Sequence, residues 1–417
     1  MMPSRLDLLS AYDAAVAAVD PRAAVSRSMS LEESVLTVGS HVFTDVTPDD
    51  IVIVAIGKAA AGMSIGAHES VGASRGIVVT THATNVPYPL CVGSHPVPDE
   101  MSMRCGDSLL TLVAGTRRSD VVVFLVSGGG SAIVAAPVEG VSIEDLAEMN
   151  RLLIASGMPI EDINAVRASV SRMKGGGLAD ASVAERRATL ILSDVVGASP
   201  AHVASGPSTG FDLGSTPALV IDSYGLRTDL PASVLAAVER SSDVDEGRTS
   251  TYDVIGSPEI AADAAVEFLR SSGFDTSIAT TNMGGESRHE AAALVDRASR
   301  GTITVAAGET TVAVRGGGVG GRNQEAALAA AIHIDGRDIV FASLGTDGID
   351  GPTEAAGAVV DGATASKARD LGLDLDAALQ DNDSHTVLTA LGETVVTGPS
   401  GTNVADLWMV AKGPWRH

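Results

Sequence analysis

Three glycines between two serines, Ser127-Gly128-Gly129-Gly130-Ser131, follow directly on the apolar run Val121–Val126. Glycine turns tightly and leaves no Cβ between its amide and a ligand. A strand that ends in such a loop, with a helix beyond it, aims several N–H groups at one point and favours an anion there. The backbone of Ser127, Gly128, Gly129, Gly130 and Ser131 is therefore expected to cradle a phosphate or carboxylate, the alternative being an ordinary tight strand–helix turn. A second loop, Gly317-Gly318-Val319-Gly320-Gly321, runs into Arg322. A cation at a helix start is disfavoured by the helix dipole, but its guanidinium suits an anion held against the same amides. Gly345-Thr346-Asp347-Gly348-Ile349-Asp350-Gly351 places two carboxylates three residues apart. Such oxygens suit Mg²⁺, and Asp-Gly is also common turn chemistry. Asp194 closes an apolar segment and could accept a substrate proton, hold a metal, or cap a helix. Lys58, next to Gly57, could neutralise a phosphate or carboxylate.

These residues must be held by elements that the sequence outlines. The first fifty residues read as helical, in DLLSAYDAAVAAV and again in LEESVLTVGSHVF. Short apolar strands follow at 51–56, 76–81, 120–126 and 188–196, with a helix from about Lys58 and another near 142–155. NAVRASVSRMKGGGLAD reads as a helix closed by glycines. Alternating strands and helices predict a doubly wound parallel α/β sheet, whose ligands bind at the carboxyl ends of its strands. Lys58, Ser127–Ser131 and Ser193-Asp194 all fall there. Polar, acidic text between Pro231 and Gly256 marks a boundary, giving domains over 1–245 and 246–417, and a second, smaller α/β unit follows.

Length and composition set the frame. The chain has 417 residues, enough for two or three domains. Apolar residues make up 45%, largely Ala and Val, and aromatics only 3%, so its cores must be built from small aliphatic side chains. No apolar run reaches the roughly 18 residues of a membrane span, and the early acids of MMPSRLDLLSAYDAAV do not read as a secretory signal. Cys91 and Cys105 are too few for a disulfide framework or a thiolate metal site, which predicts a reducing cytoplasm. Lys and Arg total 28 against 52 Asp and Glu, a net charge of −24. That surface repels nucleic acid and anionic membranes and suits concentrated salt, where repulsion is screened. A GC-rich genome would explain scarce lysine but not the acid excess. The four lysines are Lys58, Lys174, Lys367 and Lys412, and two of them lie in glycine-rich motifs, Gly57-Lys58 and Lys174-Gly-Gly-Gly177.

Several motifs are absent. GKAAAG at 57–62 is not a dinucleotide fingerprint, no P-loop occurs, no H-x-x-x-H pair occurs, and Ser131 is not in a G-x-S-x-G elbow.

The motifs that are present resemble one family, the glycerate 2-kinases with a DUF4147-like N-terminal domain and a MOFRL C-terminal domain. The matching segments are GKAAAGM (57–63), SHPVPDE (94–100), VSGGGSA (126–132), NAVRASVSRMKGGGLA (164–179), SDVVGASPAHVASGPS (193–208), AGET (307–310), GGRNQEAALA (320–329), GTDGIDG (345–351) and TGPSGTNVADL (397–407). The resemblance implies transfer of phosphate from ATP to D-glycerate, giving 2-phosphoglycerate, with Mg²⁺. It also implies a Rossmann-like larger domain, a smaller α/β domain and an active-site cleft between them. Expected roles follow from joining the resemblance to the residues. Lys58 and Arg322 bind the glycerate carboxylate or the moving phosphoryl group, and Asp194 is the base or orients the attacking hydroxyl. The Ser127–Ser131 loop and Lys174 contact nucleotide phosphates. Glu309 and Asp347 contact nucleotide or metal, and Asp350 is the metal candidate. One position departs from the family pattern: Ala198 stands where relatives often have Asp. Alternatives are a nicotinamide-dependent hydroxypyruvate reductase and a non-catalytic protein that binds an anionic metabolite. The residues leave the oligomeric state open, a homodimer being one option.

Overall fold

The computed structural model describes residues 3–210, 216–241 and 251–414. They form two compact units, Pro21–Ile255 and Met1–Asp20 with Gly256–His417. The first twenty residues thus group with the C-terminal part of the chain, although the sequence places them in the first domain. The boundary expected at 245/246 lies outside the described residues.

The unit Pro21–Ile255 is built on a six-stranded sheet in the order Leu90–Val92, Arg75–Thr80, Ile51–Ile56, Val121–Ser127, Arg186–Leu192, Asp253–Gly256. The pairings among its first five strands are parallel. Every side chain of Ile51–Ile56 and Val121–Ser127 is buried, as expected of strands covered on both faces. Val54, Ile56, Phe124, Val126, Leu109 and Ile133 share one apolar core. From Ile51–Ile56 the chain builds outward through Arg75–Thr80 and Leu90–Val92. It then returns to the other side of Ile51–Ile56 with Val121–Ser127. Strand order therefore reverses between the carboxyl ends of Ile51–Ile56 and Val121–Ser127, where such sheets open a crevice.

Three expectations fail in this unit. LEESVLTVGSHVF is a three-stranded antiparallel meander with its preceding strand, Met29–Glu32, Val35–Val38 and His41–Phe43, and not a helix. Glu33 and Ser34 both take positive φ, 48° and 66°, the two-residue turn that matches strand twist. Burial then alternates along Val35–Val38, leaving Leu36 and Val38 inside, a period of two. The cysteines are also paired: Cys91 and Cys105 form a disulfide from the Leu90–Val92 strand to the Glu100–Ala114 helix, which encloses SHPVPDE. NAVRASVSRMKGGGLAD is helical only to Ser169, the chain then turning through Gly175 and Gly176, both at positive φ, into the short helix Gly177–Asp180.

The other unit carries a mixed six-stranded sheet, in the order Thr276–Met283, Thr302–Gly308, Asp406–Lys412, Ile339–Gly345, Gly357–Asp361, Thr394–Val395. Only its first pair is parallel. The strand Asp406–Lys412 runs antiparallel between two others, so Asp406 pairs in register with both Gly308 and Gly345. Phe341 and Trp408 meet edge to face with centroids 5.6 Å apart in its core. The helix Arg5–Ala18 packs on the helix Pro258–Ser271, and Tyr12 donates to the Gly345 carbonyl at 2.8 Å. Among the described residues no helix is long and apolar enough to cross a membrane.

The disulfide closes a loop between residues 14 apart in sequence, a constraint worth about 3 kcal/mol through the unfolded chain. Urea unfolding with and without a phosphine reductant should show a lower midpoint for the reduced protein. Identical midpoints would show that the bridge adds no stability.

Candidate active site

At the reversal of strand order, two chain segments approach so closely that only glycine fits. A Cβ on Gly57, whose φ is +126°, would lie 2.1 Å from Ser127 Oγ. The Lys58 amide donates to the Gly128 carbonyl at 2.9 Å, and the Ala59 amide donates to Ser127 Oγ at 3.1 Å. Beyond Ser127 the chain turns through Gly129 at φ +83° into the helix Gly130–Ile133. A Cβ on Gly129 would sit 3.0 Å from Lys58 Cγ, so the lysine stem lies along this glycine, its residue exposed. A Cβ on Gly128 would sit 1.8 Å from Asp194 Oδ2. Asp194 follows the strand Arg186–Leu192 and is half-buried. A cation, a carboxylate and a glycine backbone are thus brought together at one sheet edge.

Lys174 approaches the same loop from inside. Its residue is 7% exposed, and its ammonium donates to the Ser131 carbonyl at 2.9 Å. Burial, and then the charge of Arg167, hold its pKa well below the usual lysine range. It braces the loop from the core side. His95, within SHPVPDE, belongs to this neighbourhood too: burial, and then the Lys58 charge, lower its pKa.

The second cluster lies in the other unit. The helix Arg322–His333 starts from Gly321. Arg322 makes a fork with Asp406, Nε to Oδ2 at 2.6 Å and Nη2 to Oδ1 at 3.0 Å, the strong bidentate geometry. Its Nη1 meets Glu309 Oε1 at 2.7 Å. Asn323 Nδ2 also donates to Asp406 Oδ1, at 2.9 Å, while Asn323 Oδ1 accepts from Ser343 Oγ and Trp408 Nε1. Burial pulls the guanidinium pKa down, but Asp406 and Glu309 reverse this and leave it raised. For Asp406 burial wins: its carboxyl is pushed up to about 6 in spite of Arg322 and Asn323.

Asp350, expected as a metal ligand, is a helix cap in the structure. Its Oδ1 accepts from the Asn323 amide and its Oδ2 from the Gln324 amide, both at 2.9 Å, with Gln324 Nε2 adding a bond at 3.0 Å. Burial raises its pKa against those bonds. Asp347 Oδ1 accepts from the Ile349 amide at 3.1 Å, closing its own turn. Among the described residues no group of three or more His, Cys, Asp or Glu could hold a metal ion.

Comparison with known proteins agrees with this architecture. Residues 7–239 match the family described as a domain of unknown function, DUF4147, and residues 302–406 match the MOFRL family. The chain is 37% identical over 377 residues to a D-glycerate 2-kinase of Thermotoga maritima, covering 86% of this chain and 90% of that one. It is 33% identical over 418 residues to a glycerate 2-kinase of Pyrococcus horikoshii, covering 94% of each. A crystal structure of a glycerate kinase from Thermotoga maritima superposes with a TM-score of 0.85 at 33% identity, covering 99% of this chain and 100% of that one.

The chain belongs to the glycerate 2-kinase family.

Its DUF4147 portion holds Lys58, Ser127–Ser131, Lys174 and Asp194, and its MOFRL portion holds Glu309, Arg322, Asp347, Asp350 and Asp406. Sequence reasoning overlooked Asp406, His95 and Arg167. The signal for Asp406 was present, since it is an acid directly before the apolar run Leu407–Ala411 of the strand Asp406–Lys412.

The raised pKa of Asp406 has a definite sign in stability. Its protonated form is favoured by the folded state, so that contribution is complete below the ordinary carboxyl range and is lost as pH rises through about 6. Wild type should therefore lose up to about 2–3 kcal/mol relative to Asp406→Asn between pH 4 and 7. Chemical denaturation of both proteins across that range reads the difference. The opposite trend would mean that pairing with Arg322 outweighs burial.

Proposed function

We propose that this chain transfers the γ-phosphoryl group of ATP, entering as its Mg²⁺ complex, to the 2-hydroxyl of D-glycerate. Relatives named for glycerate kinase activity support the reading. The observation that carries it is the meeting of Lys58, the Gly128–Gly129 backbone and Asp194 at the reversal of strand order. Phosphoryl transfer requires in-line positioning and charge neutralisation more than covalent chemistry, and a cation, a carboxylate and close-packed backbone amides are the groups that supply both.

In this reading the 2-hydroxyl oxygen of glycerate forms a bond to the γ-phosphorus. The bond from that phosphorus to the β–γ bridging oxygen breaks, and ADP leaves. Asp194 accepts the hydroxyl proton. Lys58 neutralises an oxyanion, either the glycerate carboxylate or the phosphoryl group in flight. Backbone amides of the Gly128–Ser131 loop face the nucleotide phosphates. Arg322 meets an anion on the Nη1 edge that Glu309 occupies, while Asp406 keeps the guanidinium oriented. Magnesium supplies charge neutralisation on the nucleotide phosphates when bound. The described residues build no cage for it, and each step above is carried by the chain's own side chains and amides.

Two experiments test the reading. Incubation with ATP, Mg²⁺ and D-glycerate in molar KCl, as the −24 net charge recommends, should yield 2-phosphoglycerate by phosphorus NMR. No product from folded protein, together with NADH oxidation on hydroxypyruvate, would replace the kinase with a reductase. Asp194→Asn should lower kcat by about 10²–10⁴-fold with an unchanged fold by circular dichroism. Near-normal turnover would remove Asp194 from the role of base.

A further inference from the structure

A chain of hydrogen bonds runs inward from the glycine loop and fixes the direction of one proton. Ser131 Oγ lies 2.7 Å from Ser205 Oγ. Ser205 Oγ in turn donates to Asn164 Oδ1 at 2.8 Å. The amide of Asn164 is oriented by its other end: Nδ2 faces the His202 carbonyl at 3.4 Å and His202 Nδ1 at 3.3 Å. A carbonyl can only accept, so Nδ2 belongs on that side and Oδ1 must face Ser205. Ser205 has a single hydroxyl proton, and Asn164 takes it. The 2.7 Å contact is then a bond only if Ser131 donates to Ser205.

The surroundings leave little freedom to rearrange. Asn164 and Ser205 are fully buried and His202 is 7% exposed. Ala204 and Ser205 both hold positive φ, 54° and 61°, and non-glycine residues keep that conformation only where the surroundings impose it. The Gly175 amide donates to the Ser205 carbonyl at 3.0 Å, and the Lys174 ammonium donates to the Ser131 carbonyl at 2.9 Å. Positions 131, 174 and 205 therefore tie three loops into one rigid corner. Ser131, half-buried, stands at its outer end.

With its proton committed inward, the Ser131 oxygen offers only lone pairs to whatever lies outside. It is an acceptor. Phosphate and carboxylate oxygens bring no proton to such a group, whereas an alcohol does. Nor can Ser131 act as a base, because the relay behind it passes through the Asn164 side-chain amide, which accepts at Oδ1 and donates at Nδ2 but does not carry a proton from one to the other. A substrate hydroxyl that keeps its proton fits both conditions. We propose that Ser131 Oγ, oriented by Ser205 and Asn164, is a specificity-determining residue that accepts a hydrogen bond from the non-reacting hydroxyl of a short hydroxy-acid substrate. This rests on the kinase reading, in which Asp194 serves the reacting hydroxyl and the 3-hydroxyl of D-glycerate is the one left for Ser131.

The test compares D-glycerate with D-lactate, which lacks only the 3-hydroxyl, using the whole protein. Wild type should prefer D-glycerate, and Ser131→Ala should cut the ratio of kcat/KM values for the two acids by about tenfold while the KM for ATP stays within twofold. Ser205→Ala should also lower the ratio, although Ser131 is retained, because its proton is then free to turn outward. A residue that merely packs the corner would change both acids equally. If Ser131→Ala raises the KM for ATP and leaves the ratio intact, the hydroxyl contacts nucleotide and the proposal fails while the kinase stands. Should wild type show no turnover, calorimetric affinities for the two acids, with wild type and Ser131→Ala, separate the cases. A preference for D-glycerate that the variant loses upholds the proposal without the kinase, and equal or absent binding overturns it.

Discussion

The contact between Gly57 and the Ser127–Gly128 backbone is the constraint on which the N-terminal unit depends. Where strand order reverses, adjacent parallel strands send their chains away over opposite faces and leave an open crevice between. Here the two chains first touch, through the Lys58 amide on the Gly128 carbonyl, at a distance that excludes any Cβ at Gly57. Lys58 and the glycine loop consequently leave from one fixed point, and Asp194 is packed directly against that point. No long side-chain reach is needed to gather the groups. Their separation is set by the backbone, which is stiffer than any rotamer.

The C-terminal unit solves a similar problem by other means. Its sheet inserts a late strand, Asp406–Lys412, between two earlier ones, so a single carboxylate stands in register with two strand ends. That carboxylate is fully buried and would be costly there alone. It is satisfied by the Arg322 fork and by Asn323, whose own oxygen is occupied by Ser343 and Trp408. The polar core is thus connected throughout, from a tryptophan in the apolar layer to an arginine at the helix start.

What the sequence made legible was local. Apolar runs ending in glycine marked Ile51–Ile56 and Val121–Ser127 nearly to the residue, because burial on both faces and a tight exit each leave a compositional trace. The shortage of lysine drew notice to Lys174, but whether its amine turned outward or inward depended on Ser131, 43 residues away. Asp350 looked like a metal ligand because a carboxylate among glycines shows its oxygens and not their partners. The amides that occupy them begin a helix 26 and 27 residues earlier. Asp406 left a trace as an acid at the head of an apolar run, but its partners depend on a non-consecutive strand order. The meander after residue 28 was misread because a turn at Glu33-Ser34, made without glycine, resets the period of its apolar residues from helical to alternating.

The two carboxylates on Arg322 differ in one respect that matters in a concentrated electrolyte. Asp406 is wholly buried, whereas the Glu309 side chain is 47% exposed. Salt screens exposed pairs within a few ångströms and reaches buried ones far less. The arginine therefore has one resident counter-ion and one exchangeable one. Glu309 holds the Nη1 edge from solvent, while the edge on Asp406 stays clamped. A salt-rich interior would loosen the outer partner without letting the guanidinium turn.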